Sequence, residues 1–138
     1  MIHIFDGAMG TMLQSGGLKA GACPELMNIE QPEVVKNVHK AYIEAGSTII
    51  ETNTFGASSL KLEHYGLAHR MTELNTAAVH LAKEAAAGNA KVAGSMGPTG
   101  RFIKLLGDLD FEEAYTAFAG QARALSAAGA DYIIIETC

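Results

Sequence analysis

No tryptophan occurs in the 138 residues, cysteine appears twice and proline three times, and aromatic side chains make up 7% of the chain. With Cys23 and Cys138 far apart, a disulfide framework of the kind that staples small secreted domains is not expected. Two thiols also cannot complete a thiolate zinc site by themselves, so both are read as buried or idle. Positive charge is scarce as well: 10 Lys and Arg stand against 15 Asp and Glu, a net charge of −5. The basic footprint that follows a phosphate backbone or an anionic bilayer is missing, which argues against nucleic acid and membrane partners and for a small polar ligand. No apolar run approaches the ~18 residues needed to cross a bilayer. The start, Met1-Ile2-His3-Ile4-Phe5-Asp6, has neither the cationic nor the apolar region of a signal peptide. A soluble, cytoplasmic protein is expected.

What the chain does have is about half apolar residues, enough for the core of one small globular unit. Its organising stretch is Glu51-Thr52-Asn53-Thr54-Phe55-Gly56, where the apolar run Thr48-Ile49-Ile50 stops in a carboxylate, hydroxyls, an amide and an aromatic ring. This reads as a strand end opening onto a site. The same grammar returns where Ala128-Gly129-Ala130-Asp131-Tyr132-Ile133-Ile134-Ile135-Glu136-Thr137 echoes Ala45-Gly46-Ser47-Thr48-Ile49-Ile50-Glu51-Thr52. In each, a glycine ends a helix, a β-branched run follows, and polar residues gather at its carboxyl end, where α/β folds place ligands.

Taken in order, Ile2 to Phe5 reads as a strand running into the turn Asp6-Gly7-Ala8-Met9-Gly10, with a helical turn over Thr11 to Gln14. Leu18 to Ile29 shows no period and reads as loop. Pro32 suits a first helical position, and Val34, Val35, Val38, Tyr42 and Ala45 recur at helical spacing up to Gly46. Ala57 to Leu62 reads as helical, and Leu74, Ala77, Ala78, Leu81 and Ala85 mark a further helix closed by Gly88. A third strand, Lys91 to Ser95, ends in the glycine-rich loop Gly94 to Gly100. Asp110 with Glu113 forms an Asp-x-x-Glu helix start, followed by Tyr115, Phe118, Ala122, Leu125 and Gly129. Tyr132 to Glu136 is the fourth strand. Strand and helix alternate four times, which predicts α/β architecture with a parallel sheet and right-handed crossovers. With no helix expected to cover the last strand, residues 1–138 read as the first four units of an eight-stranded barrel.

The strand exits bring Asp6-Gly7, Glu51-Thr52-Asn53-Thr54 and Glu136-Thr137 together with the Gly94 to Gly100 loop. Carboxylates suit a cation, while hydroxyls and free N–H groups suit an anion, so the set fits a zwitterion such as an amino acid. Singly, each has a plain explanation: Asp-Gly is commonly a turn, and a strand-terminal Thr or Glu is commonly a cap or a solvated edge. Their conjunction at one end of one sheet is what points to a site. The glycine loop has neither the lysine of a Walker A motif nor dinucleotide-fingerprint spacing. The five histidines show no metal-binding spacing and read as surface or packed groups.

The segments Asp6-Gly7-Ala8-Met9-Gly10-Thr11-Met12-Leu13-Gln14, Glu51 to Ser58 and Gly94 to Gly100, with Cys23-Pro24-Glu25-Leu26-Met27-Asn28 before the first long helix, resemble in order the homocysteine S-methyltransferase domain family. The likeness is strongest to the amino-terminal module of its cobalamin-dependent members. The resemblance implies the amino-terminal half of a (β/α)8 TIM barrel that binds homocysteine at the carboxyl ends of its strands. It further implies that Asp6 and the N–H of Gly7 serve the substrate, that Thr52 and Gly7 hold its carboxylate, and that Glu136 takes its ammonium group. Phe55 would form a pocket wall. By the same likeness a zinc ion, held by cysteines on strands beyond Cys138, activates the thiol to accept a methyl group from methylcobalamin, giving methionine. Cobalamin and folate modules would then be partners within the full-length protein, and residues 1–138 alone would be inactive. Betaine or S-methylmethionine as donor, or a non-catalytic half-barrel that dimerises around an amino acid, are the alternatives. A barrel aldolase is disfavoured because no strand exit carries a Schiff-base lysine.

Overall fold

Alternating strands and helices must bury one face of each helix against the sheet, and the computed structural model, which describes residues 1–138, does so. In chain order it contains α1 (Gly10–Ser15), α2 (Met27–Glu30), α3 (Pro32–Glu44), β1 (Ile49–Glu51), α4 (Ser59–Leu62), α5 (Met71–Ala86), β2 (Lys91–Met96), α6 (Phe111–Ala127) and β3 (Tyr132–Ile135). The strands lie side by side in the order β1-β2-β3, all parallel, with Ile50 opposite Val92 and Gly94 opposite Ile133. Pro32 opens α3 at its first position, and Gly46 and Gly129, at φ +112° and +106°, turn the chain out of α3 and α6. The core between sheet and helices is built from Ile50, Ala82, Ala86 and Val92, continued by Val79, Met96 and Leu125. No helix is long and apolar enough to cross a membrane.

Four expectations change. The first strand, Ile2 to Phe5, shrinks to a single parallel bridge between Phe5 and Ile49. The Thr48 hydroxyl accepts the Ile4 N–H at 2.8 Å, so a side chain occupies a donor the ladder would otherwise use. Leu18 to Ile29 is not all loop: Pro24–Leu26 forms a 3₁₀ turn that runs directly into α2. Pro24 presets that turn, while the buried residues in it include the polar Glu25 and Asn28, which hydropathy periodicity does not register. Asp110 stands at the N-cap position of α6 but makes no capping bond, because its carboxylate is paired with Lys104 at 2.6 Å. Finally, α6 buries Ala114, Ala117, Gln121, Ala124 and Leu125; of the expected stripe Leu125 is buried and Phe118 and Ala122 pack partly buried against its cluster, while Tyr115 and Gly129 lie outside it. Tyr115 is mostly exposed and its ring stacks on Phe111 instead. Small residues let α6 approach β2 so closely that a Cβ at Gly94 would stand 3.0 Å from the Leu125 side chain.

Buried amides position the carboxyl end of β1. Asn53 donates to the Pro24 carbonyl at 2.9 Å and to Asn28 Oδ1 at 3.0 Å, and Asn28 donates back to the Asn53 carbonyl at 2.9 Å. Glu25 accepts the Gly56 N–H at 2.7 Å and the Cys23 thiol at 3.3 Å. On the far side, Asn75 donates to the Ala57 carbonyl, and Gln121 donates to the Thr54 carbonyl and to Asn75 Oδ1. Residues 53–57 are therefore held from α2, α5 and α6 at once.

Two predictions follow from this packing. Asn53→Ala leaves the Pro24 carbonyl and Asn28 Oδ1 without their buried donor and should cost about 1–3 kcal/mol, measured as a lower urea midpoint at unchanged slope. His39 on α3 is fully buried with neither ring nitrogen hydrogen-bonded, and burial pushes its pKa down to about 4 from the usual 6.5. Between those two values the unfolded chain binds a proton that the folded chain refuses, so this residue's contribution to stability falls as pH drops. Going from pH 7 to pH 4, wild type should lose roughly 2–3 kcal/mol relative to His39→Leu, read from unfolding curves of the two proteins at both pH values.

Candidate functional site

A cavity of about 600 Å³ opens at the carboxyl ends of the strands, lined by Asp6 to Thr11, Pro24 and Glu25, Glu51 to Phe55, Ser95 and Glu136. Asp6, Gly7, Thr52 and Glu136, the four residues singled out from the sequence, all border it. Thr137 does not; it lines a separate, more apolar cavity with Phe102, Leu106 and Cys138.

Each side chain reaches the cavity through a bond at a strand end. The Asp6 carboxylate accepts the Glu51 N–H at 2.9 Å through Oδ2, which ties the first segment to the end of β1. Its Oδ1 is buried without a partner. The Gly7 N–H makes no hydrogen bond within the chain, and the Tyr42 hydroxyl, donating to the Ala8 carbonyl at 2.6 Å, holds this turn from below. Glu136 hydrogen-bonds to the Ser95 hydroxyl, so β2 orients the carboxylate that follows β3. Phe55 is 42% exposed and faces the cavity. A Cβ at Gly97 would come within 2.7 Å of its ring, so only glycine lets the β2 exit lie against it.

Thr52 resolves a conflict set up by strand alternation, which would send Glu51 and Thr52 to opposite faces. β1 ends at Glu51, so Thr52 lies past the pleat and both residues border the cavity. The Thr52 hydroxyl accepts the Ser95 N–H at 3.1 Å and lies 2.6 Å from Thr54 Oγ1. Because Thr54 donates to the Ser95 carbonyl, the proton between the two threonines belongs to Thr52.

The electrostatics are one-sided. Asp6, Glu25, Glu51 and Glu136 border the cavity, and no Lys, Arg or His does. Burial pushes the Asp6 carboxyl up to about 6, with the Glu51 N–H opposing and the Glu136 charge adding to the rise. Glu51 rises to about 7, first through burial, then through the charges of Glu136 and Asp6 and a hydrogen bond to the Glu136 carboxyl. No group of three or more His, Cys, Asp or Glu is arranged to hold a metal ion. Cys23 is buried, and burial together with Glu25 pushes its thiol up to about 11, while Cys138 is exposed. The donor set of this chain does not suit zinc. Chemically, the cavity can hold a cation against carboxylates and an anion against the Gly7 amide and nearby hydroxyls.

Sequence reading missed Ser95, which orients Glu136, and the amides Asn28, Asn75 and Gln121. For Ser95 a signal existed, since it sits at the end of a strand beside a glycine loop. For Asn75 and Gln121 none did, because isolated polar residues inside amphipathic helices look the same whether buried or exposed; Asn28 stands in the Cys23 to Asn28 segment of the resemblance, but in a stretch that reads as loop.

The family described as homocysteine S-methyltransferase matches residues 3–138. Among characterised relatives, methionine synthase of Mycobacterium tuberculosis (strain ATCC 25618 / H37Rv) is 34% identical across 99% of this chain, and that of Mycobacterium leprae (strain TN) 32% across 99%. The chain spans 12% of the length of each. Among solved structures, the metallated form of the homocysteine methyltransferase MmuM from Escherichia coli superposes with a TM-score of 0.82 at 28% identity, covering 98% of this chain and 53% of that one. Its apo form gives 0.67 at 30% identity. With a family match over nearly its whole length, this chain belongs to the homocysteine S-methyltransferase family.

Proposed function

We propose that residues 1–138 form the amino-terminal half of a (β/α)8 barrel and that the cavity binds the amino-acid end of homocysteine for S-methylation to methionine. The observation that carries this reading is the convergence of Asp6, Gly7, Thr52 and Glu136 on one cavity that offers carboxylates, a free N–H and a hydroxyl, with no basic residue at its wall. Glu136, held by Ser95, takes the ammonium group with help from Asp6. The Gly7 N–H takes the carboxylate, joined by the Thr52 hydroxyl once its proton turns from Thr54 to the ligand. Phe55 packs along the aliphatic chain. The half-barrel reading is supported by the 53% coverage of the MmuM chain and by apolar residues of β3 left open, Ile135 at 69% and Tyr132 at 50% exposure.

The methyl donor we propose is methylcobalamin, in keeping with the similarity to methionine synthases, with cobalamin and folate modules as partners in the full-length protein. A zinc ion would activate the substrate thiol, whose reference pKa of roughly 8.5 leaves it mostly protonated at neutral pH. Its ligands would lie outside this chain, and the residues here act only on the amino-acid end of the substrate. Two unpaired thiols suit a reducing compartment, and the proposed location is the cytoplasm.

In the full-length protein, Glu136→Gln should weaken homocysteine binding by on the order of 10- to 100-fold, as loss of a charged hydrogen bond implies. Zinc content by elemental analysis should stay unchanged. Equal homocysteine affinity in the two proteins would remove Glu136 from the site.

A further inference from the structure

Ser95 makes three hydrogen bonds through three different atoms, and each reaches a different part of the cavity wall or its support. Its hydroxyl bonds to the Glu136 carboxylate, its N–H donates to the Thr52 hydroxyl at 3.1 Å, and its carbonyl accepts from the Thr54 hydroxyl at 2.6 Å. The residue is buried and stands one position before Met96, the end of β2. Because β2 lies between β1 and β3, Ser95 reaches the exits of both neighbours. The binding reading gives Glu136 to the substrate ammonium group and Thr52 to its carboxylate, so both contacts hang on one residue. We propose that Ser95 is a positioning residue that fixes these two contacts relative to each other and so sets the preference of the cavity for one hand of its amino-acid ligand. This rests on the amino-acid-binding reading above and adds to it the residue that controls handedness.

An α-amino acid carries its ammonium group, carboxylate, side chain and hydrogen on one carbon, and its mirror image exchanges two of these places when the other two are held. With the side chain directed along Phe55, the wrong hand therefore brings its carboxylate toward Glu136 and its ammonium group toward Thr52 and Gly7. Rejecting that form requires that neither contact follow its ligand group, because a cavity discriminates only as far as the wrong ligand leaves its polar groups unpaired. The two contacts are held unequally. Thr52 is buried, and a backbone N–H holds its oxygen, so that tie does not depend on the side chain at position 95. Glu136 follows Ile135, the end of β3, on a longer and half-buried side chain, and the Ser95 hydroxyl is the neutral donor that aims it. Removing the hydroxyl frees the ammonium contact, while Thr52 and Thr54 keep their bonds to the backbone of residue 95.

The test is calorimetric titration of the full-length protein with L-homocysteine and, separately, with D-homocysteine. Wild type should favour the L form, the hand in which methionine is built into proteins. In Ser95→Ala the ratio of the two affinities should fall by on the order of 10-fold, through weaker binding of the L form, as loss of one hydrogen bond to a charged group implies. Ser95→Thr, which keeps the hydroxyl, should keep most of the ratio. A merely structural role would weaken both forms by the same factor, so an unchanged ratio in Ser95→Ala would overturn the inference. Equal loss in Ser95→Thr would overturn it too, and so would equal affinity of wild type for the two forms; binding of L-homocysteine would stand in each case. Failure of wild type to bind L-homocysteine at all would overturn the amino-acid reading and this inference together. Should Ser95→Ala not fold, Ser95→Cys is close in size and donates only weakly, and the same fall in ratio is expected of it.

Discussion

The Thr54 hydroxyl donates to the Ser95 carbonyl across 2.6 Å and receives the proton of Thr52, whose oxygen in turn accepts the Ser95 N–H at 3.1 Å. This closed circuit joins β1 to β2 just where regular pairing stops. The ladder ends at Glu51 opposite Ala93, and the circuit, with the Thr52 N–H on the Ala93 carbonyl at 2.9 Å and the Gly97 N–H on the Phe55 carbonyl at 3.0 Å, keeps the chain beyond against β2. All three side chains are buried, so each polar atom must find a partner inside, and the bonds they make fix residues 52–54 against residue 95. From there Gln121 and Asn75 carry the constraint to α6 and α5, and Asn53 and Asn28 carry it to α2.

That circuit decides where charge can go. Once Thr52 and Ser95 are locked, the Ser95 hydroxyl faces Glu136 and the Glu51 N–H faces Asp6. Three carboxyls from three separate chain segments are thus brought to one wall by neutral donors. None has a basic partner, and burial makes their ionised forms costly. Structural carboxylates in this chain are treated differently: Glu73 is paired with Arg70 and Asp131 with Lys83, and these partners hold their carboxyls below the usual range. The contrast between paired surface acids and unpaired cavity acids is the electrostatic mark of a site rather than of a fold.

How much of this was legible in the sequence depends on the scale of the force involved. The parallel direction of the strands, the helices opening at Pro32 and closing at Gly46 and Gly129, and the gathering of polar residues at strand exits follow from backbone sterics and apolar periodicity, which are local; the order of the strands in the sheet does not. Asp6, Gly7, Thr52 and Glu136 were found through motif wording and position. What periodicity could not give were contacts between distant polar atoms. The inward face of α6 is displaced toward alanines because α6 packs tightly on β2 at Gly94 and on α5. The turn at Pro24 is anchored by Glu25 and Asn28, whose value depends on Gly56 and Asn53 being opposite. The choice of Thr52 over Glu51 comes from the family resemblance, against what strand alternation in the repeated Glu-Thr pairs suggests, and both residues border the cavity because β1 ends at Glu51.

The first segment shows the same dependence from the other side. Only Phe5 pairs formally with β1, and Met1 and Ile2 are exposed, so the edge is held over a few residues only. Backbone bonds from Thr48 N–H to the Ile4 carbonyl at 2.8 Å and from Asp6 N–H to the Ile49 carbonyl at 3.1 Å are joined by one side-chain tie, the Glu51 N–H to the Asp6 carboxylate at 2.9 Å. A residue of the cavity therefore also fastens the edge of the sheet. Neutralising Asp6 would weaken that charged hydrogen bond, while leaving it ionised adds repulsion against Glu136. A bound cation relieves the repulsion without touching the bond, so ligand binding and attachment of the edge segment draw on the same carboxylate and favour the same state.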